Sequence, residues 1–165
     1  MESALWGFLG TLVGVVSSVS TTYLTNKKSI DLQKDADLLK RNELLRAFQR
    51  ETLLNLQDTL YETIRLIGQI HMEDTHNYKK TGIWGKSKFS EDINENFMLS
   101  MRKISILKER ISNNQLRLNL DDLHQNLNKP FFAKSEEESF ILFQNILDKF
   151  QSFMEELGLI LRENY

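Results

Sequence analysis

The stretch from Ala4 to Leu24 reads ALWGFLGTLVGVVSSVSTTYL, and none of its 21 residues is charged. About 20 apolar residues are needed to cross the ~30 Å hydrocarbon core of a bilayer as a helix. The first half is aliphatic and aromatic. In the second half Ser17, Ser18, Ser20, Thr21 and Thr22 replace aliphatic residues. Hydroxyls of that kind can bond back to their own helix, which makes them tolerable in lipid. Trp6 and Tyr23 stand near the two ends, where an aromatic belt would place them. A signal peptide calls for a basic leading region, yet the only early charge is Glu2. An interfacial helix calls for Lys or Arg along one face, and none is present. The expectation is one spanning helix within residues 1–25, a membrane anchor. Lys27 and Lys28 follow it, with Lys34, Lys40 and Arg41 beyond. Positive flanks stay cytoplasmic, so the expected topology is N-terminus out and C-terminal domain in, at the cell membrane.

Within the anchor the small residues are ordered. Gly7, Gly10, Gly14, Ser17 and Thr21 repeat with 3-4-3-4 spacing, as along one seam of a coiled coil, and Gly10 and Gly14 form a G-x-x-x-G pair. Packing rather than hydrophobicity associates helices in lipid, and small residues let two backbones approach. This seam is the expected helix-packing site. The implied partners are the lipid bilayer and either a second copy or another membrane protein.

Outward from the anchor, residues 26–44 mix charges with isolated leucines and read as a juxtamembrane helical stalk. Residues 45–165 read as a cytosolic helical bundle. Leu45, Phe48, Leu53, Leu56, Leu60, Ile64 and Ile67 form a helical stripe. The pattern is lost from Asn77 to Phe89, NYKKTGIWGKSKF, which reads as a loop with two glycines and four lysines. Ser90 is the expected cap of a helix carrying Ile93, Phe97, Ile104, Leu107 and Ile111, interrupted at Asn113 and Asn114. Leu116, Leu120, Leu123 and Leu127 mark a shorter helix closed by Pro130. Ser135 and Glu138 form an S-x-x-E capping box. Beyond it Phe140, Phe143, Leu147, Phe150, Met154, Leu157 and Leu161 repeat at 3-4 spacing, widened by Ile146, Phe153 and Ile160. The fold class is therefore all-α: a transmembrane helix, a long helix and an antiparallel helical bundle.

Chemistry is sparse. A net charge of -2 leaves no electrostatic footprint for nucleic acid, and the absence of cysteine removes thiolate zinc sites and thiol nucleophiles. His71 and His76 lie five apart, about 140° around a helix, whereas helical zinc pairs use i, i+3 or i, i+4 spacing. GIWGKS lacks the spacing of a phosphate-binding loop. Glu155 with Glu156, and Asp121 with Asp122, are adjacent and point different ways on a helix. No catalytic residue, metal, cofactor or small-molecule substrate is expected. The basic aromatic loop is the candidate partner-binding segment, with Tyr78, Lys79, Lys80, Trp84, Lys86 and Lys88 as its residues. A solvated, partly flexible loop and Trp84 inserting into the bundle are the alternatives.

The segments LLNLQDTLYE (Leu53 to Glu62), LKERISNNQLR (Leu107 to Arg117) and FQSFMEELG (Phe150 to Gly158) resemble uncharacterised bacterial single-pass membrane proteins. The resemblance covers about a fifth of the chain. It implies an N-terminal anchor with a helical cytosolic domain, and no activity. Some small anchored helical proteins of this layout act in bacterial anti-phage modules, a likeness of architecture alone. The expected function is a non-enzymatic, membrane-anchored interaction or scaffold protein. The alternative is a membrane-permeabilising effector gated by its cytosolic bundle.

Overall fold

A computed structural model describes residues 2–85 and 91–165, with side chains from Gly7 onward. It is all-α, with no strand among the described residues. Helix α1 is Glu2–Thr81, α2 is Glu91–Lys108, α3 is Asn114–Asn126 and α4 is Glu136–Glu163; a 3-10 turn, Lys129–Phe132, separates α3 from α4. The chain divides into two compact units, Met1–Leu45 and Arg46–Tyr165.

In the first unit α1 stands alone. Every described side chain from Gly7 to Leu45 is exposed. Near its N-terminus α1 holds a window of mean hydropathy 1.3, long and apolar enough to cross a membrane, with none of it buried.

The second unit has its own core. One apolar cluster joins α1 (Leu53, Leu56, Leu60, Ile67), α2 (Phe97, Ile104, Leu107), α3 (Leu116, Leu120, Leu123) and α4 (Ile146, Phe150, Phe153, Leu157). Helix α3 packs on both α2 and α4, and the 3-10 turn packs on α4.

Several expectations need correction. The loop expected over 77–89 begins later, because α1 continues to Thr81 and ends where Gly82 adopts φ +69. A left-handed residue closes a helix at low steric cost when it is glycine, and Gly82 N donates to Tyr78 O at 2.7 Å. Asn113 does not merely interrupt. It caps α3, its side chain accepting from Leu116 N at 3.0 Å. Leu45 and Phe48 are exposed, so the α1 stripe starts later, near Thr52. Thr52, Thr59 and Thr63 are buried on that same face. The Thr59 hydroxyl donates to Asn55 O (2.6 Å) and that of Thr63 to Thr59 O (2.7 Å), which lets them sit among leucines. On α4 the buried line runs Ser139, Ile146, Phe150, Phe153, Leu157, while Phe140 faces solvent. The expected stripe was centred too far round. The Ser90 cap lies outside the described residues.

The capping box forms with one change of partner. Ser135 Oγ accepts from Glu138 N at 3.1 Å, and Glu138 Oε2 reaches back to Lys134 N, at 2.7 Å, rather than to Ser135 N. Ser135→Ala is expected to lower stability by about 1 kcal/mol in thermal unfolding, the usual worth of such a cap.

At the Arg46 end of this unit, α1 is tied down twice. Gln49 donates to Arg110 O (2.9 Å) and accepts from Ser112 N (3.1 Å). Arg50 donates to Asn164 O (2.5 Å) and lies 5.3 Å from the centre of the Tyr165 ring. The turn after α2 and the end of α4 are thus both fastened to α1.

Candidate functional site

The line of small residues lies on the exposed N-terminal part of α1. A Cβ added to Gly7, Gly10 or Gly14 would meet nothing within 4 Å, and Ser17 and Thr21 are exposed. The threonine hydroxyls are already engaged by their own helix. Thr11 donates to Phe8 O (2.8 Å), Thr21 to Ser17 O (2.8 Å), Thr22 to Ser18 O (2.9 Å) and Thr25 to Thr21 O (2.8 Å). With its proton spent, a hydroxyl costs little beside lipid or a second helix.

The basic aromatic segment is split by the structure. Tyr78, Lys79 and Lys80 belong to the last turn of α1, where the two lysines complement the negative end of the helix dipole. Both are exposed and hold no ion pair among the described residues. Trp84 turns back instead. Its Nε1 donates to Ala133 O at 3.1 Å, and its ring lies 5.8 Å from Tyr78 and 6.4 Å from His71. Trp84 is therefore fastened to the segment that leads into α4. Lys86 and Lys88 lie outside the described residues.

His71 is the centre of this cluster. Its ring stacks on Phe143 at 5.6 Å and lies 6.4 Å from Phe140, and its Nδ1 is 2.9 Å from Ser139 Oγ. Histidine beside a serine hydroxyl is the arrangement that activates a nucleophile. Here Ser139 is only 2% exposed. The contact is a polar tie between α1 and α4, buried on the Ser139 side and half-buried at His71. Sequence reasoning missed it because Ser139 sits inside an acidic helix start. The signal was present in the 3-4 line that Ser139 shares with Phe143, Ile146, Phe150 and Phe153.

The remaining titratable groups do not converge. His76 is exposed, and among the described residues no group of three or more His, Asp or Glu is placed to hold a metal. Asp74 Oδ1, Thr75 Oγ1 and His124 Nε2 are buried and have no hydrogen-bond partner among the described residues. Burial pushes the His124 pKa below its usual value, so the neutral ring is favoured there. Asp121 pairs with Lys108 at 2.8 Å and Asp122 with Lys149, both at the surface. Such pairs are worth little individually. Compared with family models, with curated proteins and with solved structures, the chain finds no match.

Proposed function

We propose that this chain is a non-enzymatic, membrane-anchored interaction protein. On this reading α1 spans the bilayer near its N-terminus, and Arg46–Tyr165 folds as an antiparallel helical bundle in the cytoplasm. The observation that carries the reading is the contrast within α1. Its most apolar window has no buried residue, whereas residues 46–165 have a complete core without it. A long apolar surface without a neighbour in its own chain is covered either by lipid or by another helix. Lys27 and Lys28 support the cytoplasmic placement of the C-terminal side.

The seam of Gly7, Gly10, Gly14, Ser17 and Thr21 is where the chain pairs with itself or with another membrane helix. The spent threonine hydroxyls favour such packing over the alternative, a leak lined by free hydroxyls. Cross-linking in native membranes tests this. Gly10→Leu together with Gly14→Leu should cut the yield of covalent dimer or heteromer roughly tenfold, as a loss of about 1.4 kcal/mol of packing would. An unchanged yield sinks the seam. Dye leakage from vesicles carrying the wild-type chain would instead favour the permeabilising effector.

A further inference from the structure

A groove of about 420 Å³ opens between α1, α2 and the 3-10 turn, entirely within Arg46–Tyr165. Its base is continuous with the core: Ile70 and Phe97 are 4% and 6% exposed, and Phe131 meets Phe97 edge-on at 4.9 Å. Its rim is apolar yet wet. Phe132 is 77% and Met98 62% exposed, with Met101 between rim and core. The polar part of the lining is two exposed asparagines, Asn94 and Asn128, whose carboxamides make no hydrogen bond among the described residues. Among the described residues, no acid or base is in the lining.

We infer that this groove binds a small, uncharged, largely apolar molecule that carries one hydrogen-bonding group. Size decides against a protein occupant. Ligand sites of roughly 300–1,000 Å³ with apolar walls and a few polar groups are usual for small molecules. A stable protein interface needs about 20–30 residues a side, and here the apolar rim is three side chains. Charge decides the chemistry. A carboxylate or ammonium entering the groove would lose water and meet no counter-charge, while a neutral amide or hydroxyl finds a donor and an acceptor on each asparagine. The phenylalanine rings offer edges and faces to a flat apolar body, and the two methionines adapt to its outline. The walls offer water few side-chain partners beyond the two carboxamides, so an apolar body displaces it favourably.

The test uses the full chain in lipid nanodiscs, labelled with ¹³C at the methionine methyls, and titrated with 2-naphthamide, a neutral flat probe. Met98 and Met101 should shift saturably while Met72 and Met154 stay in place. Phe132→Ser, at an exposed site that tolerates polarity, should weaken binding at least tenfold. 2-Naphthoate, the same ring with a charge, should bind at least tenfold more weakly than the amide. Equal movement of all the methyls would mean partition into lipid and would overturn the site. So would the absence of a saturable shift, indifference to Phe132→Ser, or naphthoate binding as tightly as the amide.

Discussion

Leu120→Ala is expected to lower the unfolding free energy by about 3 kcal/mol, and Leu118→Ala, two residues away in α3, by less than about 0.5 kcal/mol. Leu120 is 0% exposed and Leu118 63%. Both changes delete the same atoms from the same 13-residue helix, so they share any gain in helix propensity. What differs is the cavity. Leu120 belongs to the cluster shared with α2 and α4, and α3 packs on both, so removing its isobutyl group empties space that neither neighbour can easily refill. Thermal unfolding of the full chain reads the difference as a fall of about 10 °C for Leu120→Ala against no resolvable change for Leu118→Ala. Similar losses in both variants would mean that α3 does not present this face to the core.

How much of this arrangement was legible depended on residue type. Leu116, Leu120, Leu123 and Leu127 are all essentially fully buried, as their spacing implied. Leucines at 4-3-4 spacing mark one face, and Leu118 alone stands off it. The α1 stripe was harder, since Thr52, Thr59 and Thr63 count as polar in any hydropathy pattern. The hydroxyls of Thr59 and Thr63 are silenced by the preceding carbonyls, a local bond that composition does not reveal. Asn113 illustrates the same ambiguity. Asparagine both breaks helices and starts them, and only the extended backbone at Asn113 (φ -75, ψ 112) settles which.

The site residues divided along another line. The small-residue line of Gly7, Gly10, Gly14, Ser17 and Thr21 needs only the period of a helix to be drawn, and its role in packing is a proposal; the structure leaves every face of this stretch exposed. The basic aromatic segment needed tertiary information. Nothing in NYKKTGIWGKSKF says that Trp84 would spend its N–H on Ala133, 49 residues away, and leave Lys79 and Lys80 in solvent. The groove at Phe132 was equally hidden. Pro130 marks a break, but nothing in the pattern separates Phe131 from Phe132, and the 3-10 turn holds the first on the core and the second out of it.

Val13→Asp is expected to release the chain from membranes. The segment Ala4–Leu24 has Val13 near its midpoint, and a charge there costs roughly 2.5–3.5 kcal/mol of insertion free energy. A strongly apolar helix would absorb that loss. This one has a mean hydropathy of 1.3 in its most apolar window among the described residues, and six of its last eight residues carry hydroxyls. The surplus is therefore small, and one carboxylate should exhaust it. Fractionation with alkaline carbonate reads the outcome: the wild-type chain stays in the pellet, and most of the Val13→Asp chain moves to the supernatant or to aggregates. Leu38→Asp introduces the same charge at an exposed site in the stalk, 14 residues beyond Leu24, and should change nothing. If wild type itself washes off, α1 is not an integral anchor. If Val13→Asp and Leu38→Asp behave alike, its apolar face is covered by protein rather than by lipid, because a helix–helix contact at the surface accommodates a rim charge far more cheaply than hydrocarbon does.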